Sequence, residues 1–138
     1  MQTSQRHFSL PILIALLAVL LFSSCSRREF EQRIEGHWER IQVENIDPTH
    51  TEVWIMSGNT TTINRYSVAN PSQVTTIDQG FYVVERKGIK MHVRLSAFRN
   101  TTLNNSWEII NLTDNLLVIL IEVPGGIFLK EFVRKGGL

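Results

Sequence analysis

Nucleophiles, histidines and carboxylates are the side chains that could give this chain a catalytic or metal-binding site. His37, His50 and His92 lack the spacing of a ligand pair on one element, so we predict no metal site. The serines fall in turn-like stretches without the glycine pattern of a nucleophile elbow. Carboxylate pairs such as Glu29 with Glu31 lie in a charged segment, where solvation is expected rather than acid–base chemistry. We therefore predict no enzyme and no cofactor.

The single cysteine, Cys25, is the one reactive side chain whose surroundings suit its chemistry. It comes after a weakly cationic start with Arg6 and His7, an apolar stretch from Leu10 to Phe22, and two serines. This stretch is too short to cross a hydrocarbon core, which needs about 20 helical residues. It fits a removable secretory signal with small residues before the cut. A lone cysteine also excludes an internal disulfide framework.

The tetrapeptide Phe22-Ser23-Ser24-Cys25 resembles the lipobox of bacterial lipoproteins, with Phe22 where that family prefers leucine. The resemblance implies that residues 1–24 are removed and that Cys25 carries a diacylglycerol and usually a further fatty acyl chain, such as palmitate. Two or three chains hold a protein in a leaflet, since each buried methylene contributes about 0.8 kcal/mol. The position directly after the cysteine is Ser26 rather than an aspartate. This resembles the pattern that sorts bacterial lipoproteins to the outer membrane, where the protein would face the periplasm. The alternative is a plain signal peptide with an incidental cysteine.

Charge and composition characterise the chain beyond the leader. The chain has 14 basic and 13 acidic residues, and of these only Arg6 lies in the leader. The near-zero charge of the processed chain argues against nucleic-acid binding, which would show a basic excess or stripe. The processed chain is long enough for one core. We predict a lipidated tether over residues 25–35, ending in one or two helical turns, and a single domain over residues 36–138.

Short runs of β-branched and aromatic residues, separated by turn signals, make that domain all-β. Alternation is clearest over residues 89–95, where every second residue is apolar. The predicted strands number eight or nine, and an up-and-down antiparallel sheet of this size removes its edges by closing into a barrel. They span residues 37–44, 50–57, 60–67, 73–79, 81–87, 89–96, 106–111, 115–123 and 126–134.

Three motifs resemble lipocalins and lipocalin-like domains: Gly36-His37-Trp38 on the first strand, Phe132-Val133-Arg134 on the last, and the hairpin from Trp107 to Val118. The resemblance implies that Arg134 packs across Trp38 and closes one end of the barrel, with Gly36 giving backbone clearance there. Plain alternation from Trp38 puts Arg40 on the same face, so only a bulge would turn all the apolar side chains of this strand inward.

Large apolar side chains spread over the strands leave two functions open. They could fill a solid core, in which case the barrel is a protein-protein interaction module of an envelope complex. Alternatively some of them line a cavity, and the protein is a membrane-anchored carrier of a small apolar ligand. The side chains predicted to line such a cavity are Trp54, Tyr66, Phe81, Met91, Trp107 and Phe128.

Overall fold

The computed structural model describes residues 27–41 and 49–136. The predicted signal peptide (1–24) and the lipid attachment at Cys25 lie outside the described residues, so both remain predictions. Within the described ranges, no helix is long and apolar enough to cross a membrane.

In these ranges a helix over residues 27–34 is followed by antiparallel strands. A 3-10 turn, Thr101–Leu103, lies between the fifth and sixth strands. The strands are β1 (Gly36–Ile41), β2 (His50–Ser57), β3 (Thr60–Ser67), β4 (Val74–Lys87), β5 (Lys90–Ser96), β6 (Ser106–Leu112), β7 (Leu116–Val123) and β8 (Gly126–Arg134).

Each strand pairs with the next, and β8 returns to pair with β1, so that the eight strands in the described ranges form a closed up-and-down barrel. The predicted all-β barrel is confirmed with eight strands rather than nine. The difference lies in β4, one long strand where a turn was predicted at Gln79-Gly80. Gly80 is needed inside the strand because a Cβ there would overlap the ring of Phe98.

Alternation places one face of each strand in the core. On β5, Met91, Val93 and Leu95 are buried, whereas Lys90 and Arg94 are exposed, as the sequence predicted. The core cluster comprises Ile34, Trp38, Trp54, Met56, Ile63, Tyr82, Val84, Met91, Val93, Leu95, Phe98, Leu103, Trp107, Ile109, Leu117, Ile119 and Phe132.

The two ends of the barrel differ. At the end that we call the base, β1 begins, the turns at 58–59, 88–89 and 113–115 connect strands, and the N-terminal helix packs Phe30 and Ile34 against the core. The predicted helical turns of the tether are this helix. At the opposite end, the mouth, the connections that lie wholly within the described residues are 68–73, 97–105 and 124–125. The segment 97–105 buries Phe98 and Leu103 in the interior.

Candidate functional site

The base of the barrel is closed by Trp38 and Arg134. These residues stand opposite each other on β1 and β8, and the Arg134 guanidinium carbon lies 4.2 Å from the centroid of the Trp38 ring. Trp38 is fully buried, and its Nε1 donates a 2.7 Å hydrogen bond to the carbonyl of Ile34. A cation held over an indole in this way contributes about 0.5–2 kcal/mol.

Arg134 also ties the N-terminal helix to the barrel. Its guanidinium donates to the carbonyls of Arg33 and Glu35 at 2.6 and 2.8 Å, and to the carbonyl of Asp114. Carbonyls at a helix C-terminus have no partner within the helix and favour a cation. Gly36 has a φ of 136°, and a Cβ there would overlap the guanidinium. The contacts of Arg134 therefore close this part of the base, and a separate pocket of about 380 Å³ lies beside the helix.

The mouth is shaped by Asp78 on β4, which holds the segment 97–105 in place. Its two carboxylate oxygens accept hydrogen bonds from the backbone amides of Gln79, Arg99 and Asn100 at 2.8, 3.1 and 2.9 Å. Burial raises the pKa of this carboxyl, but the three amides and the nearby Arg99 charge outweigh it. The net pKa lies below the ordinary 3.8.

A cavity of about 460 Å³ lies at the mouth, between the β7–β8 hairpin and the segment 97–105. This volume falls within the range of small-molecule sites, about 300–1,000 Å³. Its surface is mainly apolar, with Arg40 and Lys130 as its charged groups. The residues that line it are Arg40, Thr102, Asn105, Trp107, Ile121, Val123, Phe128, Leu129 and Lys130.

The polar end of this cavity is cationic. The Lys130 amine lies 5.9 Å from the Trp54 ring centroid and 5.8 Å from that of Trp107. Burial lowers the pKa of Lys130 below its ordinary 10.5, and the charge of Arg40 lowers it further, while Glu52 acts in the opposite direction. Arg40 and Glu52 form an ion pair of 3.6 Å, and Trp54 Nε1 donates to the same carboxylate at 2.8 Å.

The side chains predicted to line a cavity separate into three groups. Trp107 and Phe128 line the mouth cavity. Trp54 and Met91 are packed in the core, Trp54 behind Lys130 and Met91 toward the base.

Tyr66 and Phe81 lie on the outer face of the barrel, so the prediction that they line the interior is wrong. Phe81 is 55% exposed because its neighbour Gly80 takes the inward position that accommodates Phe98. Tyr66 is buried on the outer face, which it shares with Asn64, and the amine of Lys135 lies 4.7 Å from its ring centroid. The sequence analysis had not established which alternating set of residues faces inward on the strands that carry Phe81 and Tyr66.

Arg40, Lys130 and Asp78 were missed as site residues. The alternation pattern in the sequence could have identified two of them as inward-facing. Alternation from Trp38 puts Arg40 on the inner face, and alternation back from Arg134 does the same for Lys130. The pairing of β1 with both neighbours is regular over its described residues, so no bulge turns Arg40 outward. Asp78 carried no such signal, because its partners are amides from a distant segment.

Among the described residues, no group of three or more histidine, cysteine or acidic side chains could hold a metal ion. Comparison with protein-family models, curated proteins and solved structures gives no match for this chain.

Proposed function

We propose that this protein is a membrane-anchored bacterial envelope lipoprotein whose lipocalin-like barrel binds a small apolar ligand at its mouth. The observation that carries the proposal is the mouth cavity, of about 460 Å³. It is mostly apolar, contains a few polar groups and has a bulky aromatic on two sides, which is the usual make-up of a small-ligand site.

The difference in packing between the base and the mouth supports the same function. At the base, Trp38, Arg134 and the helix pack against one another, whereas the mouth keeps an open cavity. The mouth leaves Phe128 55% exposed on an inward-facing position opposite Ile121. An apolar ligand would cover this surface and gain roughly 25 cal/mol for each Å² removed from water.

The lipid anchor at Cys25 is the other half of the proposal, and it rests on the resemblance to the lipobox. The described helix starts two residues after Cys25 and packs on the base. The tether is therefore short, and the barrel would stay close to the bilayer surface, in the outer membrane facing the periplasm.

A cavity-filling variant tests the binding function. The helix, the closed barrel and its core all lie within the described residues, so a chain of residues 26–138 keeps their contacts. We expect decanol to bind it in calorimetry with the negative heat-capacity change of apolar burial. Val123→Trp should abolish binding by filling the cavity.

Ile127→Trp is the matched control, because Ile127 belongs to the same hairpin but is 65% exposed outside the cavity lining. It should bind decanol like the parent chain. Absence of binding to the parent chain, or equal binding to both variants, would contradict the proposal.

A second candidate function is a protein-protein interaction module, and one observation favours it. Ile127, Leu129 and Val133 alternate along β8 and are 65%, 48% and 41% exposed. Ile41, on the neighbouring strand, is exposed beside them. Although Glu131 lies between Leu129 and Val133 on this face, exposed apolar surface of this kind often marks an interaction site. The double variant Ile127→Glu/Val133→Glu should then release a crosslinked envelope partner while leaving decanol binding intact.

A further inference from the structure

We propose that the mouth cavity selects an anionic amphiphile, a molecule with one apolar body and one carboxylate or phosphate end group that is bound by Lys130 and Arg40. This inference rests on the proposed binding function and specifies its ligand class. It follows from the charges in the cavity, from their partners and from the distribution of apolar surface around them.

Within the described part of the chain, Lys130 forms no ion pair, and the nearby Glu52 carboxylate is already engaged by Arg40 and Trp54. Its strand position opposite Ile119 places it on the inner face, where it is half-buried. Its contacts among the described residues are with the faces of Trp54 and Trp107, and no ion pair or hydrogen bond to its amine is present there. Desolvating a charge is costly unless an opposite charge or hydrogen bonds offset it. A ligand anion would supply that offset.

The neighbouring charges leave the cavity positive. Arg40 and Lys130 line it, and no acidic side chain of the described residues does. Glu52 is the nearby carboxylate, but it already accepts the indole N–H of Trp54 at 2.8 Å and faces Arg40 at 3.6 Å. Among the described residues around the cavity, one carboxylate therefore stands against two cations, and one negative charge on the ligand would balance that described set.

The rest of the cavity requires an apolar body on that ligand. Ile121, Val123, Phe128 and Leu129 form the wall of the β7–β8 hairpin, and Trp107 lies beside the amine. A small inorganic anion would leave this wall uncovered, and a cationic amphiphile would meet like charge. A neutral amphiphile would gain only the apolar part of the binding energy.

The geometry also holds the cation in place before the ligand arrives. The Lys130 amine is at nearly the same distance, 5.9 and 5.8 Å, from two tryptophan rings. Cation–π contacts of this kind restrict a flexible lysine side chain. Less ordering is then required when the anion binds, which favours affinity.

Four ten-carbon probes separate head-group charge from apolar binding: decanoate, decyl phosphate, decanol and decyltrimethylammonium. In calorimetry near neutral pH, with the chain of residues 26–138, we expect decanoate or decyl phosphate to bind about tenfold or more tightly than decanol. Decyltrimethylammonium should bind more weakly than decanol. The ratio between the two anionic probes distinguishes a carboxylate from a phosphate head group.

Lys130→Met tests the residue itself. It should remove the preference for the anionic probes, so that decanoate and decyl phosphate bind the variant no more tightly than decanol does, because the methionine keeps apolar bulk but carries no charge. Arg40→Gln should reduce the preference as well, which provides a second reading if the first variant folds poorly. Lys90→Met is the matched control, since Lys90 lies on the outer face and pairs with Glu108 at 2.9 Å.

Equal binding of decanoate, decyl phosphate and decanol to the parent chain would overturn the inference while leaving the proposed function standing. An anionic preference that persists in Lys130→Met and Arg40→Gln would also overturn it. Failure of all four probes to bind would overturn the proposed function, and the inference with it.

Discussion

At the residue scale, each end of the barrel places a cation against tryptophan, but the two cations are satisfied differently. Arg134 stacks on Trp38 and also donates to three backbone carbonyls. Among the described residues, Lys130 has only the faces of two indoles. A guanidinium with five donors can close a structure, whereas an amine with unused donors is available to a ligand. The same residue classes therefore close the base and, in the proposed function, would bind the ligand at the mouth.

Trp38→Ala should lower the free energy of unfolding by about 3–5 kcal/mol, because a fully buried aromatic is replaced by a cavity. Urea unfolding of the chain of residues 26–138 measures it. Phe81→Ala is the matched control, since Phe81 is 55% exposed on the outer face, and its cost should be well below half that of Trp38→Ala. Similar costs for the two variants would mean that Trp38 does not close the base.

Lys130 should make stability rise at alkaline pH. Its pKa in the folded chain lies below 10.5, its ordinary value when unfolded. Between these two values the unfolded chain binds more protons, so stability increases as pH rises through that window. Relative to Lys130→Met, the parent chain should therefore gain stability as the pH is raised toward 10.5. Urea unfolding over that range measures the difference in free energy of unfolding between the two chains. A difference that does not change with pH would contradict burial of the charged amine.

At the element scale, β4 and the segment 97–105 depend on each other. Gly80 leaves room for the Phe98 ring, and Asp78, two residues earlier, accepts the amides of Arg99 and Asn100. The pairing of β3 with β4 shifts by one residue beside Asp78, a bulge of the kind that re-aims side chains. A predicted turn thus proved to be the place where a strand accommodates a loop from across the mouth.

Asp78→Asn should destabilise the chain by about 1–3 kcal/mol at neutral pH, because an amide replaces a carboxylate that accepts three backbone amides. The folded pKa of Asp78 lies below 3.8, so its stabilisation is complete above 3.8 and is lost as pH falls through the folded value. The difference in free energy of unfolding between the parent chain and Asp78→Asn should therefore become smaller as the pH is lowered.

Urea unfolding as a function of pH measures this, and hydrogen exchange at Arg99 and Asn100 reports the loop itself. Asp114→Asn is the control, since Asp114 is exposed in a base turn. A gap that stays constant down to strongly acidic pH would contradict the assigned role of the carboxylate.

At the scale of the whole molecule, the base and the mouth lie at opposite ends of one barrel, and the N-terminal helix belongs to the base. A lipid on Cys25 would therefore attach to the structural end and leave the mouth free. Exposed apolar residues on β8 run along the outer wall between the two ends. Anchor and cavity are thus separate features, whereas Leu129 belongs both to the cavity lining and to the outer wall.

Cys25→Ala in the full chain tests the anchor. It should abolish recovery of the protein in membranes after a high-salt wash and should abolish labelling by a radioactive fatty acid, because acyl chains rather than charges would hold the protein there. Val123→Trp serves as the control, because it alters the mouth and should remain in the membrane fraction. Membrane recovery of Cys25→Ala equal to that of the parent chain would contradict the lipoprotein proposal.

The resemblance to lipocalins implied the meeting of Trp38 with Arg134 at one end, whereas the alternating pattern and the turn residues were sufficient to predict an all-β barrel and most strand positions. These follow from local preferences and from the period of two in a strand, which a sequence displays directly. Even the inward positions of Arg40 and Lys130 follow from that period, once Trp38 and Arg134 are taken as inward-facing.

Only the tertiary structure decided which aromatics face inward, where β4 runs on without a turn, and which carboxylate holds the mouth. Phe81 lies outside because Phe98, from a distant segment, occupies the space beside Gly80. Asp78 matters because amides 21 and 22 residues away converge on it. These outcomes depend on competition for the same interior volume between segments far apart in the chain, and no local pattern records that competition.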